Sequence, residues 1–317
     1  MEEQRGLKMA GIREEDDSHT QHNIFYGIDF NLLPEGCIAS VFSFTTPRDA
    51  CRFASISAIF KSAADSDSVW DRFLPSDCHL FLEKAVTAQS LFNSLSKKQL
   101  FMRLADFPLL IDDGAMSFSL DKSTGKKCFM ISARNLAITW SDTPRYWAWN
   151  PESKSRFSEV AELVTVCWLE IKGKMKTSLL STNTEYAAYL VFKMKPEAFG
   201  FYTPVEVVVQ TAAGKVETRD VYLVSRDRYQ LIPRIGIFNQ FLAPVTRLRQ
   251  GEREDETKLP KDRLDEWQEI KIGEFSTGED EDGEVEFSVL EVKAGNWKGG
   301  LLVEGIEIRP KYKEGKV

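Results

Sequence analysis

Three of the chain's seven tryptophans stand within one stretch, "ITWSDTPRYWAWN" at residues 138–150. Trp140, Trp147 and Trp149 flank a Ser-Asp-Thr-Pro run, which is turn chemistry and brings the chain to the surface. An indole gains most when both faces are packed, so indoles beside a turn expose apolar area without benefit unless something covers it. Groups that would transform a ligand are scarce. Of three histidines, His19 and His22 lie in a polar N-terminal stretch, which leaves His79. A Ser-His-Asp or Cys-His engine is poorly supplied. No G-x-S-x-G, G-x-G-x-x-G or H-E-x-x-H occurs. "STGKK" at 123–127 ends like a phosphate loop, but Leu120 occupies the place of the required glycine and the context is a hairpin. It reads as a turn. Carboxylates are plentiful, yet nothing singles out the flanking pair that a glycosidase needs. The expectation is a non-enzyme with no cofactor and no metal.

The bulk composition agrees with a binding protein. The 317 residues suffice for one large domain or two ordinary ones, and 43% hydrophobic content can bury a core. A net charge of −7 argues against nonspecific nucleic-acid binding, which needs a basic face. Cys37, Cys51, Cys78, Cys128 and Cys167 are widely spaced and form no C-x-x-C, so buried free thiols are expected. No apolar run approaches the roughly 20 residues of a membrane helix, and the N-terminus lacks an apolar signal region. Cytoplasm and nucleus are the expected compartments.

Two kinds of periodicity must position these residues. Residues 1–25 read as a disordered acidic tail. The next stretch is helical: Thr46 caps a helix with Pro47 at its first position, and Phe53, Ile56 and Phe60 form an apolar stripe behind it. Val69, Trp70 and Phe73 share one side of a further helix. Ser96 and Gln99 form a capping box ahead of Leu100, Phe101 and Leu104. Beyond about residue 112 the period changes to two. "SFSLDKSTGKKCFMIS" reads as a hairpin, and "VTVCWLEIKGKM", "AAYLVFKM", "VEVVVQTAAGKVETRDVYLV", "WQEIKIGEF", "GEVEFSVLEV" and "LLVEGIEIRP" read as strands. That pattern predicts an antiparallel sandwich or jelly roll. The charged runs at 247–263 and 276–284 read as solvated loops.

Residues 32–75 resemble an F-box. Leu33-Pro34-Glu35 opens the segment, apolar residues follow at Ile38, Val41, Phe42 and Phe44, the capped helix starts at Pro47, and Trp70 stands near the end. Ala50 departs from the leucine many F-boxes carry. The resemblance implies docking on a Skp-type adaptor of a cullin ubiquitin ligase, through Leu33, Pro34, Ile38, Val41, Phe42, Pro47 and Trp70. A segment of about 45 residues cannot bury so many large apolar groups internally, which agrees with an interface.

The stretch "KCFMISARNLAITWSDTPRYWAWN", then "EVAELVTVCWLEIKGKM" and the later strands are similar, in the same order, to a phloem-protein-2 or Nictaba-like lectin domain over about residues 115–311. The resemblance implies binding of N-acetylglucosamine oligomers and N-glycan cores. Its sugar platform falls on Trp140 and Trp147, with Glu284 as the polar partner and Glu286 and Glu291 as alternatives. An indole covers the C–H face of a pyranose, roughly 50 Å² contributing about 1 kcal/mol. Alternation puts Glu284 and Glu286 outward and Val285 and Phe287 inward. Tyr146 and Trp149 read as framework, and Trp168, Trp267 and Trp297 as core. No lysine run for nuclear import appears in "TRLRQGERED".

The expected organisation is therefore α+β and multidomain. An acidic tail at 1–25 is followed by an F-box at 26–75, a helical linker at 76–114 and an all-β antiparallel lectin domain at 115–317. The expected role is a substrate receptor that ties a glycoprotein or oligosaccharide ligand to the ligase. The alternative is a receptor for a protein ligand that keeps the lectin fold without sugar binding.

Overall fold

The computed structural model describes residues 33–86, 92, 94–224, 256–279 and 283–311. The expected acidic tail with His19 and His22, and the "TRLRQGERED" loop, lie outside the described residues.

Short helices come first. Helix α1 (Glu35–Phe42) buries Ile38, Ala39 and Phe42. Helix α2 (Pro47–Phe53) starts as its residues dictate, with the Thr46 side chain accepting the Asp49 amide and proline at the first turn. The apolar stripe expected from Phe53 through Ile56 to Phe60 is broken. The chain leaves the helix after Phe53, and Ser57 caps a new helix, α3 (Ala58–Asp65), by accepting the Phe60 amide. A serine hydroxyl offers the backbone an alternative to the helical ladder, and Ile56 turns out to solvent as a result. Helices α4 (Asp67–Phe73), α5 (Cys78–Glu83) and α6 (Lys97–Asp106) follow, the last with the full Ser96–Gln99 capping box.

The strands begin earlier than expected. Strand β1 (Leu109–Ile111) pairs with β2 (Met116–Leu120) inside the stretch assigned to a helical linker, because Leu109 and Ile111 alternate inward. The predicted hairpin joins β2 to β3 (Lys127–Ser132). Strands β4 (Ala137–Ile138), β5 (Trp147–Asn150), β6 (Val160–Leu163), β7 (Leu169–Lys176) and β8 (Thr184–Phe199) follow. The rest are β9 (Val205–Thr211), β10 (Val216–Val221), β11 (Lys261–Asp262), β12 (Gln268–Thr277), β13 (Glu284–Glu291) and β14 (Gly299–Pro310).

Among the described residues they form two antiparallel sheets. One runs β1-β2-β3-β14-β8-β12-β11, with β6 also on β14 and β5 on β6; the other runs β10-β9-β13-β7-β4. Their inner faces touch: Phe275 of β12 meets Phe287 of β13 with ring centroids 5.8 Å apart. At Gly173 of β7 the sheets approach so closely that a Cβ would stand 2.9 Å from Leu136 and 3.1 Å from Ile306. This is the two-sheet antiparallel architecture that the period of two predicts.

The helices share the apolar core of the sheets. Phe81 of α5 stacks on Phe118 of β2 at 4.4 Å, and Lys127 Nζ meets Asp77 at 2.8 Å. Gly125 sits at φ +73° in the hairpin turn, and a Cβ there would stand 2.8 Å from the Phe73 carbonyl oxygen. Two expectations about surface residues are corrected here. Arg263, read as part of a solvated loop, is almost enclosed, pairing with Glu269 at 2.8 Å and Glu307 at 2.7 Å. Burial alone would raise the Glu307 carboxyl, but Arg156, Arg263 and Arg309 hold it down at about 2. Among the cysteines Cys78 is buried, whereas Cys37 and Cys51 are exposed rather than buried.

Candidate functional site

The turn that raised the first question closes by a hydrogen bond from the Ser141 amide to the Ile138 carbonyl, 3.2 Å. Trp140 occupies its third position at φ +62°, left-handed backbone. Turns want glycine or asparagine there, because a Cβ crowds the neighbouring peptide. The other described non-glycine residues at positive φ are aspartate, asparagine or glutamate, so the bulky indole is the outlier. It is also 43% exposed, lying over Tyr146 with ring centroids 5.2 Å apart. A strained backbone that displays an apolar ring makes Trp140 a candidate for a functional role.

Trp147, the second expected platform, is corrected. It is 2% exposed, and its indole N–H donates to the Thr139 carbonyl at 3.1 Å. As the first residue of β5 it faces the core, so no ring face is open to a sugar. Trp149 is framework as expected: its N–H donates to the Ser141 carbonyl at 2.9 Å, and the Arg134 guanidinium covers its ring at 3.8 Å.

The polar partner is corrected as well. Alternation is as read, with Val285 and Phe287 buried and Glu284 and Glu286 outward. Yet Glu284 pairs in register with Lys176 and Glu286 with Lys174, while the Thr139 amide bonds the Glu170 carbonyl. Six and four residues of strand separate them from Glu170, about 20 and 13 Å. Both acids instead flank Lys174, Glu284 at 3.5 Å and Glu286 in closer contact. Glu291 is buried and ion-paired with Lys298.

The carboxylate that reaches this turn is Glu170, which bonds Thr139, the residue before Trp140. One of its oxygens accepts the Thr139 hydroxyl and the Trp168 indole N–H, each at 3.0 Å, and Lys172 lies 2.5 Å from the other. The Lys172 ammonium and the Trp168 N–H, with Thr139, hold the carboxyl down at about 2 against the opposing effect of burial. Trp168, expected in the core, is 42% exposed; Trp297, likewise expected there, is 53% exposed. Trp267 is buried as expected. The resulting cluster of Thr139, Trp140, Tyr146, Trp168 and Glu170 combines exposed ring faces with an ionised acceptor. It can hold a ligand that offers an apolar face and hydroxyl donors together. Alternation carried a signal for it: with Leu169 and Ile171 inward on β7, Trp168 and Glu170 must point the other way.

The helical segment divides its apolar residues differently. Of the residues expected at an adaptor, Ile38, Phe42, Pro47 and Trp70 are buried and Leu33 half-buried. Phe42 stacks on Phe53 at 5.0 Å, and the Trp70 N–H donates to the Ala64 carbonyl at 2.6 Å. Ile38, Phe42 and Trp70 belong to the apolar core, and Leu33 packs against it. Pro34 and Val41 are exposed, and with Cys37 and Phe44 they recur at spacings of three and four along one face of α1 and its extension. Val41 is 51% and Phe44 74% exposed.

Comparison with known proteins bears on both regions. The phloem protein 2 family matches residues 126–310. The Arabidopsis thaliana F-box protein PP2-B1 is 42% identical, covering 89% of this chain and 90% of its own. F-box protein PP2-B15 is 41% identical over 88% and 96%, and F-box protein VBF 40% identical over 88% and 99%. Among solved structures a Podospora anserina β-(1,4)-mannanase is similar at 8% identity with a TM-score of 0.30, over 60% of this chain and 29% of that one. That likeness carries no argument. A family match over more than half of the chain, with relatives near 40% identity along most of it, shows that the chain belongs to the phloem protein 2 family, among its F-box PP2-B members.

Proposed function

We propose that the protein is a non-catalytic substrate receptor of a cullin-type ubiquitin ligase that selects glycan-bearing ligands through its β-sandwich. The helical segment is its F-box, and the apolar stripe Pro34, Cys37, Val41 and Phe44 docks on a Skp-type adaptor. Its relatives carry F-box in their names, and the stripe is the kind of uncovered apolar surface that a partner would bury. The β region is the ligand-binding domain, for sugars such as N-acetylglucosamine in N-glycan cores. The corresponding compartments are cytoplasm and nucleus.

The observation that carries the sugar reading is Trp140. It is a half-exposed indole in a backbone conformation that disfavours it, next in the chain to Thr139, whose hydroxyl bonds a carboxylate held ionised. An indole face takes the C–H side of a pyranose while Glu170 accepts from its hydroxyls. The test is a glycan array on the full chain beside its Trp140→Gly variant. Glycine suits the turn, so the variant is expected to melt within a few degrees of the parent and to lose sugar binding. Unchanged binding by the variant sinks the assignment of the site.

A second reading has its own support. The burial of Trp147 removes one of the two expected stacking platforms, which favours a receptor that recognises a protein ligand through the same exposed surface. A parent chain silent on the array, with Trp140→Gly abolishing capture of a polypeptide ligand, would favour this second reading.

A further inference from the structure

Every carbonyl from Ile138 to Ser141 receives a donor. The Ser141 amide bonds the Ile138 carbonyl at 3.2 Å, and the Thr143 amide bonds that of Trp140 at 3.0 Å. The backbone satisfies those two. The carbonyls on either side of Trp140 are taken by indoles instead. Thr139 accepts the Trp147 N–H at 3.1 Å, and Ser141 accepts the Trp149 N–H at 2.9 Å. The spacing explains the match. Trp147 and Trp149 stand two residues apart on β5, opposite Leu163 and Ala161 of β6, so both side chains leave the strand on one face. They meet carbonyls that are also two residues apart. Trp149 is itself held: the Arg134 guanidinium lies over its ring at 3.8 Å, and Nε and Nη2 of that arginine donate to one Glu159 oxygen at 2.9 and 2.7 Å.

The turn bond from Ser141 to Ile138 does not by itself decide the conformation of Trp140. A type I and a type II turn close with the same bond and differ by a flip of the central peptide, which carries the Thr139 carbonyl. Only the type II form puts the third residue at positive φ. Trp140 stands at φ +62° and Thr139 is not left-handed, the type II pattern. For a tryptophan the type I form is the easier one, because its Cβ is crowded at positive φ. The flip to that form would swing the Thr139 carbonyl away from the Trp147 N–H and leave this part-buried donor without its partner. We propose that Trp147 and Trp149 are positioning residues for Trp140: Trp147 selects the turn in which Trp140 is left-handed, and Trp149 holds the chain as it leaves. The exposed ring is thus aimed by two indoles fixed in a strand. The inference rests on the reading of Trp140 as a ligand contact and adds what presents it.

Trp147→Phe and Trp149→Phe in the full chain keep an aromatic ring and remove the donor. Trp267→Phe is the control, since that buried indole also donates to a carbonyl, that of Lys154 at 3.0 Å. Two readouts decide. One is the nuclear Overhauser effect between the amide proton and Hα of Trp140, strong at positive φ and weak at negative φ. The other is calorimetric titration with chitotriose, an N-acetylglucosamine trimer. Trp147→Phe is expected to weaken the Overhauser signal and lower affinity roughly fivefold, because only the unflipped fraction of the chain binds. Trp149→Phe should move both readouts the same way, with a loss of roughly two- to threefold. Trp267→Phe should melt below the parent and leave both unchanged. Should Trp147→Phe melt too low to study, Trp149→Phe carries the same two readouts. Parent-like signal and affinity in the Trp147 and Trp149 variants overturn the proposal. So does a weakened signal with parent-like affinity, or an equal loss in Trp267→Phe, which would mark general softening of the sandwich. A parent chain that does not bind chitotriose removes the sugar reading, and the Overhauser signal alone then decides the clamp.

Discussion

The helical segment and the Trp140 end of the sandwich both expose apolar side chains, for different physical reasons. On α1 the inward positions Ile38 and Phe42 are filled, and Val41 and Phe44 are left on the outer face because a segment of this size has no second layer to cover them. Exposure there follows from helical period. At the sandwich end Trp140 and Trp147 lie seven residues apart on one short stretch, yet one is 43% exposed and the other 2%. Exposure there is set by a single turn that throws Trp140 outward at φ +62° while Trp147 starts a core strand. A stripe made by a period suits a broad protein interface. A ring made prominent by one strained residue suits a small ligand.

The sharpest way to break this contrast is Trp147→Ala. If the indole is core, the substitution costs about 3–5 kcal/mol and lowers the melting temperature strongly. Trp140→Gly, by contrast, should leave stability within about 1 kcal/mol, since glycine relieves the positive φ as the contact with Tyr146 is lost. Similar melting for both variants would dissolve the distinction.

The next effect is on the helical side. Val41→Glu with Phe44→Ser should weaken capture of a Skp-type adaptor at least roughly tenfold, about 1.4 kcal/mol, while helicity and melting stay near those of the parent. Ile38→Glu should instead unfold the helices by burying an unpaired charge. Intact adaptor capture by the Val41/Phe44 double variant would move the interface to another face.

The smallest effect is on pH. Glu170 has its folded-state pKa lowered to about 2 from an ordinary value of 4.5. Its contribution to stability is therefore present above pH 4.5 and is lost as pH falls from there towards 2. Sugar binding that needs the carboxylate should stay flat from pH 7 to about 4 and fall only below that. In Glu170→Gln this acid limb should vanish. A parent profile already falling at pH 5 would mean that another, unshifted carboxylate is the partner.

Much of the local structure was legible because local rules govern it. The Thr46 and Ser96 caps, the hairpin from Met116 to Ser132 and the outward pointing of Glu284 depend on neighbours a few residues away. The Phe53–Phe60 stripe failed because Ser57 competed for a backbone amide inside the apparent period. The site was half legible. The turn marks Trp140, whereas Trp168, just ahead of β7, shows its outward position only through its parity with Glu170.

By itself, then, the sequence determined a helical front, a β rear, a surface turn between Ile138 and Trp147, and the outward face of Glu284 and Glu286 on β13. Caps, turn residues and periods act over short separations, so they can be read along the chain. Only the tertiary structure decided which acid reaches the Trp140 turn. The pairing of β13 with β7 carries Glu284 about 20 Å away along the strand, and the chain leaving β4 sets Thr139 on Glu170 instead. It also decided that Arg263 is enclosed between Glu269 and Glu307. Each of these depends on register between segments far apart in sequence, where a shift of two residues keeps every side chain on its face and changes every neighbour.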